Sequence, residues 1–167
     1  VMQFQDKGIL VPTRNLIKTP EQIEGIRQAG IINTAALDLV EREIKEGMTE
    51  MEVAAMLEYK MRKLGAEGLS FPTIVAFGPH AAVPHHETGM AKPQFGDEIL
   101  IDFGCKVNGY CSDITRTFLF GDDGKHEAFK AAYAHVLRAH ELVQEKAVSG
   151  MTGIEVDAIA RDYLQAN

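Results

Sequence analysis

Cysteine is scarce: two in 167 residues, too few for a disulfide framework, so the expected compartment is a reducing cytoplasm. Basic residues are also in deficit, 17 against 24 acidic, giving a formal net charge of −7. That excludes a nucleic-acid scaffold, which needs a basic face to displace counterions, and an anionic membrane surface as partner. No apolar run approaches the roughly 18 residues of a membrane span, and no basic-then-apolar leader opens the chain. There is no initiator Met either; the chain opens on Val1 and reads as a cut or processed product. What is present is an ordinary globular mixture, 46% apolar and 25% charged. At 18.4 kDa it fits one domain that buries about 68–70% of its unfolded surface.

Local signals are clear from Thr19 onward. Thr19-Pro20-Glu21-Gln22 is a capping box with Pro at the first helical position. Behind it Ile23, Ile26, Gly30, Thr34, Leu37, Val40 and Ile44 recur at helical spacing, and Gly47 stops the helix. Thr49-Glu50-Met51-Glu52 is a second box, followed by a stripe of Val53, Met56, Leu57, Met61 and Leu64 and a stop at Gly65. Thr73–Phe77 reads as a strand, and Gly78–Gly96 as a loop carrying His80, His85 and His86. Glu98–Val107 and Tyr110–Phe120 read as strands joined by Asn108-Gly109, the strongest short hairpin signal because a type I′ turn needs φ > 0 twice. Gly121–Gly124 breaks the pattern. A long helix follows, with Phe129, Tyr133, Val136, Leu137 and Val143 on one side and Gly150 at its end; Thr152-Gly153-Ile154-Glu155 caps the last helix.

Residues 47–56 and 150–159 are identical at six of ten positions. Both are junctions between a long helix and a shorter capped one. A reused good junction is one reading; the other is duplication, in which the chain ends where the second set of strands should begin.

The chemistry concentrates on the hairpin. With a two-residue turn Val107 faces Tyr110, so Asp102 faces Thr115 and Gly104 faces Asp113. Side chains alternate with period two, which puts Asp102, Gly104, Asp113 and Thr115 on one face and Ile99, Ile101, Phe103 and Cys105 on the other. Diagonal neighbours of this kind lie somewhat under ~7–8 Å apart at Cβ. Two carboxylates so close repel and resist burial. A divalent metal would compensate them, with Gly104 leaving room; alternatively both are solvated on an open sheet face. The apolar neighbours Leu100 and Leu119 favour the metal. Cys105 and Cys111 point to opposite faces, so they read as free, buried thiols rather than a disulfide or metal pair. His86-Glu87 starts like a zinc-peptidase helix, but Met90 stands where the second His should be. His85, after Pro84 in a rigid loop, suits a proton donor or acceptor near the carboxylates.

These stretches, Phe71–Val75, Gly78–His85, Gly96–Gly104 and Asn108–Phe118, resemble the "pita-bread" metallopeptidases: Xaa-Pro aminopeptidases and Xaa-Pro dipeptidases, with methionine aminopeptidases and creatinase as relatives. The resemblance runs from about Lys18 to the end. It implies an α+β, creatinase/aminopeptidase-like fold of two pseudo-symmetric halves, here truncated in the second repeat. Residues 1–17 would be an N-terminal extension or the remnant of an upstream domain; 18–121 would be the first half of the catalytic domain and 122–167 the start of the second. The resemblance implies two divalent metal ions, Mn²⁺ foremost with Co²⁺, Fe²⁺ or Zn²⁺ as options, Asp102 as a terminal ligand, Asp113 as the bridging ligand and His85 as the catalytic proton-handling residue. The family's remaining ligands, one His and two Glu, come from a second half that this chain lacks.

The intact relative would be a hydrolase removing an N-terminal residue from a peptide substrate at an Xaa-Pro bond. Methionine aminopeptidase is one alternative, and a catalytically silent peptide- or protein-binding module is another. The isolated chain is expected to bind metal weakly and to show no turnover. The apolar stripes of its last two helices predict association, as a homo-oligomer or with the missing C-terminal half.

Overall fold

In the computed structural model residues 2–4, 10–12, 17–122, 124 and 126–167 are described. Near the N-terminus β1 (Met2–Phe4) pairs antiparallel with β2 (Leu10–Pro12). The assignment of residues 1–17 as an extension or remnant lies largely outside the described residues. The chain divides into two compact units, residues up to Phe120 and Gly121–Asn167.

In the first unit α1 (Pro20–Glu41) and α2 (Glu50–Lys63) both begin on complete capping boxes, at Thr19 and Thr49. In each box the Thr hydroxyl accepts the N3 amide and the N3 side chain accepts the Thr amide, so two otherwise orphaned donors are satisfied. Six short strands follow: β3 (Gly68–Leu69), β4 (Ile74–Phe77), β5 (Glu98–Phe103), β6 (Cys105–Val107), β7 (Tyr110–Cys111) and β8 (Ile114–Leu119). They form two antiparallel three-stranded sheets, ordered β4-β5-β8 and β3-β6-β7. The core lies between helices and sheets, where Val40, Val53, Leu57 and Met61 meet Val75, Ile99, Ile101 and Phe103. Each large apolar side chain fully buried there contributes about 1.5–3 kcal/mol.

The hairpin register is as the parity count requires: Asp102 pairs with Thr115, Lys106 with Cys111 and Val107 with Tyr110. Asn108 and Gly109 take φ of 50° and 78°, the left-handed pair of a type I′ turn. The two long strands are not continuous, however. They break at Gly104 and at Ser112-Asp113, and this break splits the hairpin between the two sheets. A Cβ on Gly104 would overlap the Ser112 carbonyl oxygen and press on Ser70 Oγ. Glycine is therefore required for the close backbone approach, rather than to open space beside Asp113.

Other sequence expectations shift. The first helix ends at Glu41, not at Gly47, and its buried face is Gly25, Ala29, Asn33, Ala36, Leu37 and Val40, with Ile23 and Ile26 exposed. Small residues face inward because the hairpin sits close; the Tyr110 ring occupies the space a Cβ on Gly25 would need. Leu64 caps α2 and is exposed instead of closing its stripe. Cys105 is buried, with Sγ donating to the Ala29 carbonyl at 3.3 Å, but Cys111 is exposed, so only one thiol is a core residue.

In the second unit α3 (Glu127–Lys146) packs against α4 (Gly153–Ala166), which starts on the third capping box, at Thr152. Only Ala139 and Leu142 are buried among its described residues. Among the described residues no helix is long and apolar enough to cross a membrane.

Candidate active site

Strand β5 alternates strictly, its odd-numbered residues Ile99, Ile101 and Phe103 buried and its even-numbered ones half-buried, so Asp102 is turned away from the core. Ser112 is buried and Asp113, next to it, is exposed. A polar knot fixes this turn. Ser112 Oγ accepts from Asn33 Nδ2 at 2.8 Å, donates to the Cys105 carbonyl at 3.1 Å and accepts the Cys105 amide at 3.2 Å. Ser112 is thus held inward, and Asp113 lies exposed beside it.

Asp102, Asp113 and His85 line one cleft of about 620 Å³, together with Phe71, Ile74 and Thr88 among others. Thr115 Oγ1 donates to Asp102 Oδ1 at 2.9 Å, which orients that carboxylate and leaves Oδ2 open. Among the described residues Asp113 takes no hydrogen bond or ion pair, and no Lys or Arg is paired with either Asp. Two hard oxygen donors lining one cleft, with no cation paired to them among the described residues, fit a divalent ion. The three residues singled out in the sequence are thus brought together at one wall.

A second constellation escaped the sequence reading. Glu50, the first residue of α2, is fully buried. Its Oε1 accepts the Phe77 amide at 3.0 Å and His80 Nδ1 at 2.7 Å; its Oε2 accepts the Gly89 amide at 3.0 Å and His86 Nε2 at 2.9 Å. Burial alone would push the carboxyl up, but bonds from His86, His80 and the two amides outweigh it and hold Glu50 below the ordinary carboxylate range. The three ligand-type atoms lie within 4.8 Å of one another. The two imidazole rings are stacked, 4.3 Å apart at 29°. Each carboxylate oxygen serves one ring, so the contacts present are those of a hydrogen-bonded clasp. In the sequence, a second glutamate in Thr49-Glu50-Met51-Glu52 that the capping box does not use was the available signal.

The profile of metallopeptidase family M24 matches residues 24–167, most of the chain. The chain belongs to metallopeptidase family M24. Among M24 relatives it is 38% identical over 165 residues to the Xaa-Pro dipeptidase of Pyrococcus furiosus, covering 99% of this chain and 47% of that protein. It is 38% identical over 150 residues to a putative Xaa-Pro aminopeptidase of Mycoplasma pneumoniae, covering 90% of this chain and 42% of that one. Solved structures agree. The X-Pro aminopeptidase of Thermotoga maritima superposes with a TM-score of 0.86 at 40% identity, covering 90% of this chain and 42% of that one. The prolidase of P. furiosus does so with 0.85 at 41%, covering 90% and 44%. The fold is therefore the pita-bread fold of M24, and the chain spans less than half the length of these relatives.

Proposed function

We propose that this chain carries part of the catalytic site of a dinuclear-metal exopeptidase that removes an N-terminal residue from peptides at Xaa-Pro bonds in the cytoplasm. The observation that supports it most is the meeting of Asp102, Asp113 and His85 at one cleft, with neither carboxylate paired to a cation among the described residues, in a chain similar to Xaa-Pro peptidases. Asp102 would hold one ion with the oxygen that Thr115 leaves open, and Asp113 would bridge two. The bound ions, Mn²⁺ foremost with Co²⁺, Fe²⁺ or Zn²⁺ as options, would supply Lewis-acid polarisation of the scissile carbonyl and a nucleophile at neutral pH. The His85 imidazole would hand a proton to or from the reacting groups. Two carboxylates complete only part of the coordination that two ions require, so the 167-residue chain binds Mn²⁺ weakly and does not turn over peptide by itself.

Calorimetric titration of Mn²⁺ into the chain tests the site. The expected result is weak binding that Asp102→Asn or Asp113→Asn abolishes; binding that survives both substitutions would refute it. Assay of an Xaa-Pro dipeptide should show hydrolysis only when the second half of the family fold is supplied. Absence of hydrolysis there too would favour a peptide-binding module.

A further inference from the structure

The loop from Gly78 to Pro93 holds no strand and only a short 3₁₀ turn at Gly78–Ala82, yet it carries His85. We propose that Glu50 is a positioning residue for this site: its carboxylate clasps the loop on both sides of His85 and thereby sets that imidazole against the Asp102–Asp113 wall. The four groups it accepts come from Phe77 and His80 before His85 and from His86 and Gly89 after it. The start of α2 adds two further ties, the Glu50 amide to the Ala91 carbonyl and the Met51 amide to the Gly89 carbonyl, both 3.0 Å. Thr88 Oγ1 accepts the Val75 amide at 2.9 Å and donates to the Thr73 carbonyl at 3.1 Å, fastening the same loop to the β4 edge. His85 is exposed and hydrogen-bonds to none of these groups; its neighbour His86 is held into the clasp, and that restraint orients the next residue back along the chain. A buried carboxylate costs several kcal/mol of desolvation. Glu50 meets that cost with a donor at every available position; three of the four donors belong to the loop that bears His85, and the fourth, the Phe77 amide, is the residue from which that loop departs. The proposed metal site enters only the second readout below.

The test is NMR on the 167-residue chain with Mn²⁺ as paramagnetic probe. In the wild type the Phe77 and Gly89 amides should exchange slowly, and Mn²⁺ should broaden the His85 ring signals. Glu50→Gln replaces one acceptor oxygen by a donor. It should speed exchange at one or both amides at least about tenfold, the equivalent of about 1.4 kcal/mol. Mn²⁺ affinity should stay within about twofold while the His85 broadening weakens. If Glu50→Gln does not fold, His86→Ala should give the same loss, and His86→Gln, which restores a donor, should recover it. Unchanged exchange and unchanged His85 signals in these variants would overturn the proposal. So would Mn²⁺ or Zn²⁺ shifting the His80 and His86 rings in an Asp102→Asn/Asp113→Asn chain, since the cluster would then be a metal site. If Mn²⁺ does not bind the wild type, the metal reading fails and the exchange measurement still decides the clasp.

Discussion

A carboxylate held below its ordinary protonation range contributes stability with a definite sign. The folded chain binds a proton at Glu50 less readily than the unfolded chain, whose value is near 4.5. The contribution is therefore complete at neutral pH and is lost as pH falls below that value through the folded one. Urea midpoints of the wild type and Glu50→Gln should differ most near neutral pH and draw together as pH falls below about 4.5. Each donor orphaned by the substitution costs about 1–3 kcal/mol at the neutral end. A difference that grows on acidification would contradict the clasp's charge state. Gly104 makes a second expectation at this scale. An alanine there meets a backbone carbonyl that cannot rotate aside, so Gly104→Ala should cost about 3 kcal/mol or more, at the upper end of ordinary point substitutions, read as a lowered urea midpoint.

Between elements, the contact of α1 with the hairpin depends on the absence of a side chain at Gly25. Gly25→Ala forces a methyl into the Tyr110 ring and should destabilise the first unit; adding Tyr110→Ala should return part of the loss, with a coupling of about 0.5–3 kcal/mol in a urea double-mutant cycle. Strict additivity would mean that the ring moves freely. The same contact shows what the sequence could and could not reveal. The three capping boxes and the Asn108-Gly109 turn were legible because their chemistry is local, within four residues. So was the Asp102–Thr115 register, which follows from turn length and parity. The inner face of α1 was legible at Leu37 and Val40 but not in its first turns, because proximity to the hairpin selects Gly25 and Ala29 over the more apolar Ile23 and Ile26. Nor was Glu50, whose partners lie 27 to 39 residues away while a glutamate opening a helix already has a sufficient local reason to be there. The break at Gly104 was missed for a similar cause: a glycine beside a carboxylate suggests space, and only the crossing backbone reveals crowding.

Across the whole molecule the two units are unequally endowed with interior. The first has a continuous core, whereas among the described residues of the second only Ala139 and Leu142 are buried, and Val136 and Ile154 stand 60% and 83% exposed. So much uncovered apolar surface on a helix pair should draw the chain into association, seen as a mass above 18.4 kDa in sedimentation at micromolar concentration. A monomer with α3 and α4 strongly protected from hydrogen exchange would show those faces to be covered within the chain. The division of the two cysteines has a practical consequence for such measurements. Cys111 is open to reagent, while Cys105 lies in the core with its thiol pushed up by burial, hence scarcely ionised and shielded. A chain without tryptophan has no indole signal to follow, but it has a native pair of thiols that differ in access. The first should titrate at once with a disulfide reagent. The second should react only as often as the hairpin lifts from α1, which makes Cys105 a built-in clock for the opening of the domain, readable without any substitution.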